Sequence, residues 1–196
     1  YILVPSVLAV ALLVIGYAYV ALLFAVVAGF MAFFFRDPKR EPPTEADAVV
    51  APADGRITRV SKLSPEGVRS STLISIFLSP LDVHINRAPI AGNIVDVAYT
   101  RGKFLIATDE KASVVNEQNA LTIEGKITVV CKQIAGILAR RIVCWKEKGE
   151  QVELGERFGL IKFSSRTDVI LPENVEILVK AGMKVQGGIS IIGRIK

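Results

Sequence analysis

The sequence predicts a mostly β domain, a compact barrel or sandwich with Gly-rich turns, preceded by a hydrophobic membrane helix or helical hairpin. Three observations carry that prediction. Residues 1–35 hold no charge, so all 24 Lys and Arg and all 19 Asp and Glu lie beyond Phe35. From Val49 onward, short runs rich in Val and Ile recur between Gly, Pro and Asp-Gly steps, as strands and turns do. Beyond the apolar start, only the stretch from Glu110 to Gln118 offers a helical period.

The apolar start comes first. As one straight helix its length would be about 50 Å, against a hydrocarbon core of about 30 Å. Two short membrane helices or one long emerging helix would fit, with Gly16-Tyr17 as the midpoint of a hairpin. Residues 1–35 are therefore read as a membrane-anchoring helical segment. Arg36, Lys39 and Arg40 follow at once, and positive charge beside such a segment favours the cytoplasmic side of a cell membrane. Pro38, Pro42 and Pro43 stop any helix and make a linker. The domain boundary falls there, with residues 36–196 forming the second domain.

The strands follow in order. VVAPADGRITRV sets Asp54-Gly55 between two apolar runs, a hairpin signal. LISIFLSPLDVHINRAP gives a strand, a Ser79-Pro80 break and an extended piece carrying His84. Gly92 introduces another strand, and LTIEG, KITVVCKQIAG and ARRIVCW continue the series. GERFGLIKFSSRTDVILP reads as two strand runs, Phe158 to Phe163 and Val169 to Leu171, around a polar step at Ser164-Ser165-Arg166. AGMKVQGG reads as a tight turn between two short strands.

Composition narrows the function. A domain of about 160 residues is large enough to bury a core. The net charge of +5 is modest and no Lys/Arg run of nucleic-acid type occurs, so an anionic membrane surface is the expected partner rather than nucleic acid. Cys131 and Cys144 lack CxxC spacing and the chain has 1 His, so no metal site and no disulfide are expected. Asn116-Glu117 and Arg140-Arg141 read as solvated polar pairs. Asp54, His84 and Ser165 form the one set able to do nucleophilic chemistry. A hydroxyl needs a base to take its proton, imidazole suits that task, and a carboxylate can hold the ring in the right tautomer. A non-catalytic alternative is a membrane-anchored lipoyl- or biotinyl-type carrier, or a scaffold, with Lys111 at a hairpin tip.

Taken together, FFFRDPKR, VVAPADGRI, SIFLSPLDVHINRAP, GKF with KASVVNEQN, QIAG with ARRIV, and GERFGLIKFSSRTDVILP occur in an order and spacing that resembles the phosphatidylserine decarboxylase family of the short prokaryotic type, archaetidylserine decarboxylases included. The resemblance implies a proenzyme that cuts itself between Ser164 and Ser165, giving a β chain to residue 164 and an α chain from 165 that stay together through shared strands. Asp54, His84 and Ser165 would be the self-cleavage triad. Ser165 would become a covalent pyruvoyl group, the cofactor, forming a Schiff base with the serine headgroup of an anionic lipid. The lipid would lose carbon dioxide to give the ethanolamine lipid, with His84 as proton donor. The unbroken chain corresponds to the uncut zymogen. Ser164 stands where the family has Gly, and a side chain there restricts the backbone angles open to Gly. Arg87 stands where longer members carry a second His, so His84 would do both tasks. Arg36, Arg87, Arg140 and Arg141 are the phosphate-binding candidates. A homodimer is compatible with the sequence.

Overall fold

The computed structural model describes residues 1–63, 70–106, 111–137, 141–162 and 165–196. The chain divides into two compact units, Tyr1–Pro38 and Lys39–Lys196.

The first unit is a pair of helices, α1 (Leu3–Val14) and α2 (Ala18–Phe34). Gly16 adopts φ +95°, a left-handed conformation that ends α1 and lets the chain turn. The helices pack on each other, and Tyr1 stacks on Phe35 with ring centroids 5.4 Å apart. The chain turns at Gly16-Tyr17, where a hairpin would bend, but the expectation of a membrane-spanning helix or helical hairpin is overturned by the lengths of the two helices. With 12 and 17 residues, the helices are about 18 and 26 Å long, against a hydrocarbon core of about 30 Å. Among the described residues, no helix is long and apolar enough to cross a membrane. The hairpin nonetheless leaves Leu3, Tyr19 and Leu22 exposed.

The second unit is β-rich. Its elements in chain order are β1 (Ala48–Val50), β2 (Gly55–Leu63), β3 (Ser71–Leu78), β4 (Ile85–Arg87), β5 (Gly92–Thr100), the short helix α3 (Ala112–Val115), β6 (Gln118–Glu124), β7 (Thr128–Ile134) and β8 (Arg141–Cys144). Then follow β9 (Gln151–Val152), β10 (Arg157–Lys162), β11 (Ser165–Pro172), β12 (Val175–Ile177), β13 (Lys184–Val185) and β14 (Ile191–Ile195). One eight-stranded sheet runs β13-β2-β3-β11-β7-β6-β5-β9, with two three-stranded sheets, β1-β14-β12 and β4-β10-β8. All the ladders are antiparallel.

The hairpin expected at Asp54-Gly55 is not a ladder, and the turn expected at AGMKVQGG differs as well. The Asp54-Gly55 turn joins β1 to β2, but β1 pairs with β14 and β2 with β3 and β13. The stretch AGMKVQGG, expected as one tight turn, holds β13 within it, and β13 and the following β14 belong to different sheets. Each crossing moves the chain between layers, which a sequence pattern of strand–turn–strand does not distinguish from a hairpin. The helical stretch expected at 110–118 is reduced to α3, and Glu110 lies outside the described residues.

The core lies on one face of the large sheet. Strand alternation stacks Ile74, Val169, Cys131 and Leu121 in a row across β3, β11, β7 and β6, all buried. Val49, Phe158 and Ile192 from the smaller sheets complete this core. Each such side chain contributes about 1.5–3 kcal/mol when removed from water. β11 is the inner strand that organises these rows, paired to β3 on one side and β7 on the other.

Candidate active site

The apolar row does not continue unchanged toward the start of β11. Two residues nearer, the same core face carries Ile76, Thr167, Gln133 and Asn119. One further step gives Leu78 opposite Ser165. The core face therefore turns polar as it approaches Ser165, and its polar groups satisfy one another. Asn119 Nδ2 donates to Gln133 Oε1 at 3.1 Å, Gln133 Nε2 donates to Asn86 Oδ1 at 2.9 Å, and Asn86 Nδ2 donates to Thr167 Oγ1 at 3.0 Å. Asn86 comes from β4 in a different sheet, so the amide chain ties two layers together. Gly159 on β10 makes room for it. A Cβ there would lie 2.8 Å from Gln133 Nε2 and 2.3 Å from the Val143 carbonyl oxygen.

The opposite face of β11 is also buried and polar. Arg166 and Asp168 form an ion pair, Nε to Oδ1 at 2.6 Å and Nη2 to Oδ2 at 3.0 Å. Arg166 Nη2 donates to Ser75 Oγ at 2.8 Å, and Ser113 Oγ of α3 donates to Asp168 Oδ2 at 2.8 Å. Ser165-Arg166 is thus no strand break. It is the beginning of β11, and the polar step is accommodated because each charge meets a partner. Asn116, expected in solvent, is buried and bonds Leu105 and the Ala135 carbonyl.

The three residues singled out by the sequence lie at one end of the large sheet. Ser165 opens β11, fully buried, and its Oγ has no hydrogen-bond partner among the described residues. Ser164, the other half of the expected cleavage bond, lies outside the described residues. Asp54 immediately precedes β2, whose Arg56 pairs with Phe77, next to the Leu78 that faces Ser165.

His84 is buried in the connection from β3 to β4. Its carbonyl accepts from Ile161 N at 3.3 Å, at the end of the strand that leads into Ser165. The connection that follows β3 therefore meets β10 near its end.

The His84 ring is oriented by a backbone carbonyl. Nδ1 lies 2.9 Å from the Asp82 oxygen, and a carbonyl can only accept, so the neutral ring carries its proton on Nδ1 and its lone pair on Nε2. The carbonyl is held in place by the turn around it. Asp82 Oδ2 accepts from Ser79 N at 2.8 Å and Ser79 Oγ at 2.7 Å, while Asp82 N donates to Ser79 O at 3.0 Å. Asp54 has a different attachment: Arg40 and the Gly187 N–H hold its carboxylate. Arg40 and Asp82 are the supporting residues that reading the sequence missed. The signal for Asp82 was its place between Ser79-Pro80 and His84.

Among the phosphate candidates, Arg87 is buried and donates to the Gly155 carbonyl, and Arg141 is exposed. Arg36 lies over the Phe33 ring, and Arg140 is outside the described residues. Lys111, the carrier candidate, heads the one-turn helix α3 instead of a hairpin tip. Burial pushes the Cys131 thiol far above the ordinary thiol range. The Cys144 thiol is raised as well, again chiefly by burial.

The β domain thus sets a buried hydroxyl at the first position of β11 and a buried histidine, its ring held by the Asp82 carbonyl, at the same end of the large sheet. The sequence profile of the phosphatidylserine decarboxylase family matches residues 27–193, and the chain belongs to that family. It is 49% identical over 173 residues to the phosphatidylserine decarboxylase proenzyme of Gluconobacter oxydans, covering 85% of this chain and 77% of that one. The proenzyme of Solibacter usitatus is 52% identical over 169 residues, covering 86% and 80%. That of Geotalea uraniireducens is 44% identical over 191 residues, covering 94% and 88%.

Proposed function

We propose that this chain is a proenzyme that cuts itself ahead of Ser165 and then decarboxylates a phosphatidylserine-type lipid to the ethanolamine lipid and carbon dioxide. Membership of the decarboxylase family supports the reaction. The observation that carries the site is Ser165 Oγ, a buried hydroxyl without a hydrogen-bond partner among the described residues, at the first position of the central strand. A buried hydroxyl left unsatisfied is costly, by about 1–3 kcal/mol, and a role as nucleophile accounts for it.

His84 Nε2 is the acceptor for the Ser165 proton, since the Asp82 carbonyl keeps the proton of the neutral ring on Nδ1. The freed oxygen adds to the carbonyl carbon of residue 164, the C–N bond to Ser165 breaks, and an ester replaces the peptide. Removal of the Ser165 α-proton then expels residues 1–164 as a carboxylate. Hydrolysis of what remains of Ser165 releases ammonia and leaves a pyruvoyl group. The Ser165 position fits this group, because it is fully buried and the polar row of Thr167, Gln133 and Asn86 begins two residues further along β11. When formed, the group supplies a carbonyl that reacts with the headgroup amine and takes up the electrons left by carbon dioxide. His84 holds the proton that returns to the headgroup carbon. Asp54 serves the same sheet end from the turn before β2.

We place the enzyme at the cytoplasmic face of the cell membrane. The exposed apolar side chains of the helical hairpin and the following Arg36 and Lys39 support a lipid surface as its seat.

The test is intact mass together with lipid analysis. Wild-type protein should yield two chains, the smaller beginning with a pyruvoyl-blocked residue 165. Ser165→Ala should stay whole and make no ethanolamine lipid; decarboxylation by that variant would refute the assignment. His84→Ala should also stay whole, and normal processing would remove His84 from the site.

A further inference from the structure

The carboxylate of Asp54 is clamped by a guanidinium. Arg40 Nη1 donates to Oδ1 and Nη2 to Oδ2, each at 2.7 Å, and the Gly187 N–H adds a third bond to Oδ1 at 2.8 Å. Arg40 Nη1 also reaches the Gly187 carbonyl at 2.9 Å. The two side chains are only 7% and 14% exposed. A forked, part-buried pair of this kind fixes orientation as well as charge. It joins three segments distant in sequence: the linker at Arg40, the turn before β2, and the turn after β13.

The grip continues toward Ser165. Gly55 follows Asp54 at φ +148° and pairs with Val185. It packs so closely on β3 that a Cβ would lie 2.1 Å from the Phe77 carbonyl oxygen. Phe77 is followed by Leu78, the residue paired with Ser165. A run of contacts therefore leads from the Arg40 side chain through the Asp54-Gly55 turn and β3 to the backbone of Ser165.

We infer that Arg40 is a positioning residue for self-cleavage, acting through Asp54 and the Gly55–Phe77 contact to hold the strand end on which Ser165 lies. Asp54 then acts as the receptor for Arg40, with three of its acceptor positions already filled. The inference rests on the reading that the chain cuts itself before Ser165.

The experiment follows cleavage of the full chain over time by gel and intact mass. The protein is synthesised in the presence of vesicles of phosphatidylglycerol and phosphatidylethanolamine. The variants are Arg40→Lys, Arg40→Ala, Asp54→Asn and the Arg40→Ala/Asp54→Asn double. Lysine keeps the charge and the apolar stem but cannot bridge both oxygens and the Gly187 carbonyl. Arg40→Lys should therefore cleave at least tenfold more slowly at an unchanged melting temperature. Added guanidinium ion should restore cleavage in Arg40→Ala, and the double variant should be no slower than its slower parent.

Wild-type cleavage in Arg40→Lys overturns the inference, as does multiplication of the two single effects or failure of guanidinium to restore any cleavage. Should Arg40→Ala precipitate, the comparison of Arg40→Lys with wild type decides alone. A wild-type chain that stays whole defeats the self-cleavage reading itself, whatever the Arg40 variants do.

Discussion

Asp168→Ala isolates the polar layer behind Ser165. The carboxylate and Arg166 have side chains 1% and 3% exposed and meet at 2.6 Å. Removing the carboxylate strips a buried guanidinium of its countercharge and Ser113 Oγ of its acceptor. Breaking one side of a buried pair costs about 3–5 kcal/mol. For a domain of this size each kcal/mol lowers the melting temperature by about 2–4 °C, so a fall of about 6–20 °C is expected. The assay is thermal unfolding followed by circular dichroism in a Ser165→Ala background, in which the chain is expected to stay whole so that only folding is read. The Arg166→Met/Asp168→Leu double should recover most of the loss, because exchanging a buried pair for apolar groups is close to neutral. A melting temperature for Asp168→Ala within about 3 °C of the parent would sink the argument that this pair is buried and coupled.

Three further outcomes are expected. Gly159→Ala pushes a methyl against the Val143 carbonyl and Gln133, and should lower stability by about 1–3 kcal/mol in urea titration of the uncut chain. Native protein at pH about 8 should react with a thiol reagent at Cys144 before Cys131, whose thiol is pushed up by full burial; mass spectrometry of the labelled chain reads the order.

The third outcome concerns acid. Burial alone would raise the Glu156 carboxyl, but Lys146 at 2.8 Å and the Glu153 N–H outweigh it and hold it below the ordinary carboxylate range. A depressed carboxylate adds stability above its unfolded value and loses it as pH falls through the folded one. Urea midpoints of wild type and Lys146→Met should therefore differ near neutrality and converge in acid, below about pH 4.

Much of the β domain could be read from residue types. The Val- and Ile-rich runs became strands, and the ordered motifs led to the family. What could not be read was which strands pair. Asp54-Gly55 has hairpin chemistry, yet Gly55 serves a contact with Phe77 that no local pattern encodes. The apolar start illustrates a second limit. Composition suggested a membrane helix or a helical hairpin bent at Gly16-Tyr17; the chain does turn at the left-handed Gly16, but the two pieces are too short to cross.

At the site, Ser165, His84 and Asp54 could be named from their chemistry. The buried polar row near Ser165 could not, because Asn86, Gln133 and Thr167 become a set only across two sheets. Ser164-Ser165-Arg166 read as a polar step between strands because charge usually marks a surface, and Asp168, the partner of Arg166, was not singled out. Here each of the two is the reason the other can be inside.

The central place of β11 bears on how the mature protein would behave once cut before Ser165. The smaller piece would own the strand flanked by β3 and β7, so heating would release two separate molecules where the precursor releases one. Unfolding would then become a dissociation, its midpoint rising with protein concentration, and cooling would demand that partners find each other again. The precursor could refold alone; its product would depend on never having come apart.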